Sequence, residues 1–292
     1  MTEMQQIPVS RFTFTRSCKI YEVTPGDEPV TNIPAVGEEP IKKALYKFGF
    51  LTSNLLQRYM NIKGNKNIDV SRSLKVMFSQ KKIWRYTIEY NDDFTSNIDV
   101  YRLSQKEEEI LRKKGRHKPI YRFDMKNTPY ILTNLACVQW HLTMLEYKAK
   151  EVMYNNRVHI SDKRTQPITI PSLCRYKSKK TKKSMVVCEL PAVKGMRKRD
   201  IGMFLRQVTQ LNDYFIENPA KYNAYIIVIT CCSENQIEDI SRLLENIIET
   251  KGLFVLYSIE TQSQEGNINP LACLYRVVRE QDKTTLKIVD LS

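Results

Sequence analysis

The sequence predicts a two-domain α+β / α/β protein, with an N-terminal unit of helices and a short ribbon followed by a mixed-sheet α/β domain. Three observations carry that expectation. The chain has 292 residues, a length that suits two cores better than one. Between residues 38 and 113 the apolar pattern runs at helical period, switches to two strand-like runs and returns to a helix. From residue 157 onward, short continuous apolar runs alternate with amphipathic stretches, the pattern of strands covered on both faces by helices.

Residues 1–37 carry Pro8, Pro25, Gly26, Pro29, Pro34 and Gly37 and read as an arm, with a short strand at "SCKIYEV". The first unit, 38–127, opens with the helix "EEPIKKALYKFGF", which has acids in its first turn. "LTSNLLQRYMNI" follows as a second helix capped by Thr52 or Ser53. Asp69 is placed to cap a third helix, on which Val70, Leu74, Met77 and Phe78 share one side and Arg72, Lys75 and Ser79 the other. "IWRYTIEY" and "IDVYRLS" read as strands joined by the polar turn "NDDFTSN", and "QKEEEILRKK" as a closing helix. Three helices followed by a two-stranded ribbon is the order of a winged helix-turn-helix.

The second domain, 128–292, opens with a long helix from Pro129 to Asn156. Strands at "RVHIS", "ITIPSLCRY" and "SMVVCEL" come next, followed by a helix from Arg197 to Asn218. The strand "YNAYIIVITCC", the helix "SENQIEDISRLLENIIETKG", the strand "LFVLYSIET" and a final strand "PLACLYRVVRE" complete it. Trp84, Trp140 and His141 are read as core residues.

Charge narrows the partner. A net charge of +14 points to a polyanion, nucleic acid before an acidic membrane. From Arg58 to Ile88 the only acid is Asp69, against eight bases, which makes the surface around the third helix basic on one side. Candidate DNA-binding residues there are Arg72, Lys75 and Ser79, toward base edges, Lys66, Lys81, Lys82 and Arg85, toward phosphates, and Ser71 beside them. The turn Asn91–Asn97 would serve as the wing. A second basic run, "RYKSKKTKKS", contributes Lys179, Lys180, Lys182 and Lys183 as further phosphate contacts. Seven scattered cysteines without a C-x-x-C suggest reduced thiols, and only three histidines exist, with no zinc spacing. The longest apolar run, Ala224 to Cys232, is too short to cross a bilayer, and the start lacks a signal-peptide core. A cytoplasmic protein with no membrane partner is expected.

The order helix, three strands, helix, strand is similar to the PD-(D/E)XK nuclease core. On that resemblance Pro171-Ser172 falls where the family has Pro-Asp, and Glu189 matches the second acid. Pro191 stands where the family has its lysine, with Lys194 nearby. Asp162 and Asp200 are the nearest other acids. On the following helix Arg206, Gln210 and Tyr214 form a stripe, of which Gln210-x-x-x-Tyr214 resembles the Q-x-x-x-Y element of some members. The absent acid and lysine argue against cleavage, so Glu189 and Lys194 are read as vestigial. No cofactor is expected, and Mg²⁺ would enter only with a nuclease reading.

A winged helix followed by such a domain resembles the replication-relaxation (MobC-like) proteins of plasmids and integrative elements, over roughly residues 38–260. The resemblance rests on "LTSNLLQRYMNI…VSRSLKVMFSQKKIWRY", "IPSLCRY", "VVCEL" and "FLRQVTQLNDYF". It implies a duplex-DNA-binding accessory factor in mobilisation or replication control, with a relaxase or replication protein as partner, and leaves a homodimer open. The alternatives are a metal-dependent DNA endonuclease and a transcriptional repressor or antitoxin-type regulator.

Overall fold

A computed structural model describes residues 12, 18–25, 34–90, 97–114, 128–158, 168–178, 182–192, 198–222, 224–245, 255–261, 269–280 and 283–292. The arm supplies strand β1 (Cys18–Val23), where the sequence placed it. Helices α1 (Glu38–Phe48), α2 (Ser53–Ile62) and α3 (Val70–Ser79) follow, with a two-residue strand β2 (Leu51–Thr52) between the first two. Strands β3 (Ile83–Tyr90) and β4 (Ile98–Leu103) pair antiparallel, and α4 (Gln105–Lys113) closes the unit.

Local chemistry sets these boundaries. Thr52 accepts a hydrogen bond from the Leu55 backbone N–H at 3.2 Å, and Asp69 accepts one from Arg72 N–H at 3.0 Å, so each side chain satisfies an orphan donor of its helix. Gly37, before α1, has φ 72°, and a Cβ there would lie 2.4 Å from Ile68 Cδ1. Only glycine lets the chain enter α1 this close to the segment preceding α3. The ribbon becomes a four-stranded antiparallel sheet, ordered β1-β3-β4-β2, because β1 pairs with Arg85 to Tyr90 of β3 and β2 pairs with β4.

Helix α5 (Thr128–Glu146) is buried over nearly its whole circumference and serves two cores. Ile131, Leu132, Leu135 and Leu142 pack with α1 to α4, while Trp140 and Met144 pack against the second sheet. The expected helix to Asn156 is therefore too long. Lys148 adopts φ 64°, and Ala149 N–H closes back on Met144 O at 3.0 Å, ending the helix in a left-handed turn. "KEVMYNN" instead joins the start of the expected strand "RVHIS" in β5 (Lys150–Val158), because pairing with the next strand overrides its helical reading; residues 159–161 lie outside the described residues.

Strands β6 (Ile168–Lys177) and β7 (Ser184–Pro191), helix α6 (Lys198–Glu217), strand β8 (Tyr225–Cys231), helix α7 (Glu234–Glu245) and strands β9 (Val255–Ile259), β10 (Leu274–Glu280) and β11 (Lys283–Val289) complete the chain. They form one seven-stranded mixed sheet in the order β11-β10-β9-β8-β7-β6-β5. The pairs β5/β6 and β6/β7 are antiparallel, β7/β8 and β8/β9 parallel, and β10 runs antiparallel to both neighbours. β11 was not foreseen; it forms a hairpin with β10 at the sheet edge. Helix α5 covers one face, whereas α6 and α7 cover the other with Phe204, Leu205, Val208, Ile237 and Ile240. The fold is thus mixed α and β, with seven helices and two sheets among the described residues.

Candidate nucleic-acid interface and a buried carboxylate

The helical periodicity of α3 divides its residues cleanly. Val70, Ser73, Leu74 and Met77 are buried, and Ser71, Arg72 and Lys75 are exposed on the other side. Lys66 before the helix and Lys81 after it are also exposed. Among the described residues Arg72, Lys75, Lys66 and Lys81 make no ion pair, so this face presents cations available to phosphate or base oxygens. Ser79 is less suited to that role, because it is half-buried and its hydroxyl donates to Val76 O at 2.9 Å.

Lys82 and Arg85 are tied down within the protein. Lys82 Nζ lies 2.8 Å from Glu38, which also holds the buried Lys42, and Lys42 reaches Glu107 at 2.8 Å. This chain of charges joins α1, the α3–β3 turn and α4. Arg85 pairs with Asp99 at 2.9 Å and lies over the Phe78 ring. Arg58, counted among the basic residues of this unit, reaches away to α5, donating to both Glu146 oxygens and to Thr143 Oγ1. The tip residues 91–96 lie outside the described residues. Trp84, expected in the core, is 37% exposed. It sits where β3 emerges from the α3 turn, with Ile83 taking the buried position beside it.

Lys81 carries a conformational cost. Its φ of 55° ends α3 in the left-handed region, where a non-glycine residue is strained by about 1 kcal/mol. Lys81→Gly is therefore expected to leave the melting temperature unchanged or raise it while weakening DNA binding several-fold. A melt and a binding titration on the same sample check both halves.

In the sheet domain, Lys182 and Lys183 are exposed at the β6–β7 turn, which is closed by Ser178 N–H to Lys183 O and Lys182 N–H to Ser178 O, each at 3.0 Å. Lys179, Lys180, Lys194 and Asp162 lie outside the described residues, as does the side chain of Asp200. On α6, Arg206 is exposed, but Tyr214 is buried, with its ring against Phe215 and Tyr222. The expected outward stripe is therefore broken. The aromatic cluster at the end of α6 draws Tyr214 inward.

The strand register brings Ser172 directly opposite Glu189. Both face α5, and both are fully buried. Neither Glu189 oxygen closes a hydrogen bond of ordinary geometry. Burial pushes its pKa up to about 8, with the Glu260 charge adding to the rise and the nearby Thr230 hydroxyl and Cys137 thiol opposing it. At neutral pH this carboxyl is mostly protonated. Thr230 and Ser258 share a hydrogen bond of 3.0 Å beside it. Glu260 follows, also buried, and accepts the Phe12 backbone N–H on both oxygens, at 2.8 and 3.0 Å. The contact between the arm and Glu260 spans 248 positions, and no local pattern announces it.

Ser172 belongs to a second buried set. Its hydroxyl lies 2.9 Å from His141 Nδ1, while His141 Nε2 lies 3.0 Å from Glu151. Burial lowers the His141 pKa, so the ring is neutral. Glu151 is also raised by burial, but hydrogen bonds from His141 and Lys47 outweigh that and bring it to about 2. An ionised Glu151 can only accept, so Nε2 carries the proton and Nδ1 accepts from Ser172. The sequence of hydroxyl, imidazole and carboxylate resembles a nucleophilic triad, but Ser172 and His141 are both closed to solvent. Phe48 of α1 packs edge-on to Tyr154 beside the ring, and Lys47 pairs with Glu151. The set therefore joins the first unit to the sheet, which accounts for His141 as the core residue the sequence suggested.

The residues at the nuclease-like positions do not fit a hard divalent cation. They supply one carboxylate, Glu189, because the Ser172 hydroxyl donates to His141 and Pro191 carries no amine. Among the described residues no group of three or more His, Cys, Asp or Glu is arranged to hold a metal, and no helix is long and apolar enough to cross a membrane. A comparison with protein-family models, curated proteins and solved structures finds no match to this chain.

Proposed function

We propose that the protein binds duplex DNA through α3, as an accessory factor in the mobilisation or replication control of a mobile genetic element. The observation that carries the reading is the two-sided character of α3. One side is locked into the core by Val70, Leu74 and Met77, and the other holds Ser71, Arg72 and Lys75 outward with no internal ion pair among the described residues. A helix held this way can enter a major groove, where Arg and Lys recognise guanine and Ser accepts or donates at several bases. Lys66 and Lys81 flank it as phosphate contacts, and the helix–helix–helix–ribbon order agrees with a winged helix.

The sheet domain bears on whether the protein cleaves what it binds. Its run α5-β5-β6-β7-α6-β8, with antiparallel, antiparallel and parallel pairings, follows the element order of a PD-(D/E)XK core. Its donors do not support cleavage, so the domain is read as a scaffold. The mobile-element setting, with a relaxase or replication protein as partner, comes from the resemblance alone. Selection from a pool of random duplexes tests the reading. Repeated rounds are expected to enrich a shared motif, and a pool that stays random contradicts sequence-selective binding.

A further inference from the structure

We infer that the protein carries a second, sequence-independent phosphate-binding surface on the sheet domain, formed by Lys148, Lys150, Arg175, Lys177 and Lys182. This inference rests on the proposed DNA binding and adds a separate contact to it. All five residues are exposed, and among the described residues none makes an ion pair. Lys150 and Arg175 are direct cross-strand partners in the antiparallel β5/β6 pair, so their side chains share a face. Lys177 lies two positions beyond Arg175 on that same face and pairs with Ser184. Lys182 sits in the turn that follows, and Lys148 in the turn between α5 and β5.

The local structure carries costs at three points within this surface. Lys148 and Lys182 hold φ of 64° and 60°, in the left-handed region that glycine fills more easily. Like charges directly opposite each other, as at Lys150 and Arg175, destabilise an antiparallel pair. Strain and repulsion gathered at one place mark a functional surface more often than a passive one. A polyanion relieves the repulsion.

The chemistry favours a nucleic-acid backbone. Neighbouring cations stand roughly 5 Å apart across the strands and 7 Å along them, a rigid array suited to a dense line of charge. Val186, the cross-strand partner of Arg175 on this face, is buried, so among the described residues the strand pair holding these cations presents no exposed apolar side chain between them to insert into a bilayer. It also lies at the opposite end of β7 from Glu189, since Lys177 pairs with Ser184 and Glu189 stands near the far end. It is thus separate from the nuclease-like positions.

The test measures affinity for a long duplex of arbitrary sequence as a function of salt, in the full chain and in Lys150→Gln/Arg175→Gln/Lys177→Gln. Each lost phosphate contact makes the slope of log K against log salt shallower by about 0.9, so the triple variant is expected to lose roughly 2 to 3 in slope. At low salt its affinity is expected to fall at least tenfold. The variant melts at or above the wild-type temperature, because the like-charge pair is gone, and Arg175→Lys retains most of the slope. An unchanged slope overturns the proposal. So does the alternative in which the triple variant loses binding to phosphatidylserine vesicles but not to duplex, which would assign the surface to a membrane. The same titration in Arg72→Ala/Lys75→Ala separates this surface from α3. A slope that depends on the sheet-domain cations alongside a site preference that ignores Arg72 and Lys75 would overturn the α3 reading and leave this one standing.

Discussion

Replacing Glu189 with glutamine is expected to raise stability progressively as pH increases from about 5 to above 8. The carboxyl titrates near its ordinary 4.5 in the unfolded chain and at about 8 in the folded protein. Between those values the unfolded state has released its proton and the folded state has kept it. Raising the pH therefore favours unfolding across the whole window, and the loss levels off once the folded carboxyl also ionises. At 1.36 kcal/mol per pKa unit, the full effect is roughly 5 kcal/mol. Glutamine keeps the shape and removes the titration, so the variant should match the wild type near pH 4.5 and exceed it by several kcal/mol near pH 8. His141 acts in the opposite sense. Its pKa is lowered by burial, so it adds stability as pH rises to about 6.5, and it is present in both proteins. Glu151, held at about 2, contributes stability that is lost only as pH falls below 4.5. The difference between the two denaturation curves isolates Glu189. A constant difference across this range would show that its carboxyl is not held protonated by the fold.

Much of the first unit is legible in the sequence because its signals are local. Thr52 and Asp69 are caps whose partners lie three residues away, and the apolar period of α3 is complete within one helix. The sheet domain is legible to the extent that its strands are continuous apolar runs, as in β7 and β8. The boundary at Glu146 is not. "KAKEVMYNN" reads as a continuation of the helix until β6 is there to pair with it, and the decisive turn is a lysine in a conformation usually marked by glycine. β11 is similarly hidden, because a polar edge strand such as "KTTLKIV" acquires its identity from β10.

The candidate site divides along the same line. Ser71, Arg72 and Lys75 are exposed as helical spacing requires, whereas the fates of Lys82, Arg85 and Arg58 depend on acids far away in sequence or on another strand. Composition counts a base without revealing whether an acid already holds it. Sequence likewise aligns Glu189 with a family carboxylate, but its environment comes from α5 and β8, including Cys137 and Thr230, which share no local pattern with it. Trp84 and Tyr214 exchange their expected settings for the same reason. Each is placed by its neighbours in space.

The claim that α3 reads DNA is tested most directly by Arg72→Ala/Lys75→Ala in a mobility-shift titration against the selected duplex. Both side chains are exposed and make no ion pair among the described residues, and their helix keeps its Asp69 cap and its buried face. Surface substitutions of this kind change stability by less than about 0.5 kcal/mol, so the melting temperature should hold. A base-reading Arg or Lys contributes roughly 1 to 3 kcal/mol, which for two residues predicts a loss of specific affinity of at least about thirtyfold. The preference for the selected duplex over an arbitrary one should collapse with it. A double variant that keeps its fold and binds the selected duplex as tightly and as selectively as the wild type would contradict the account.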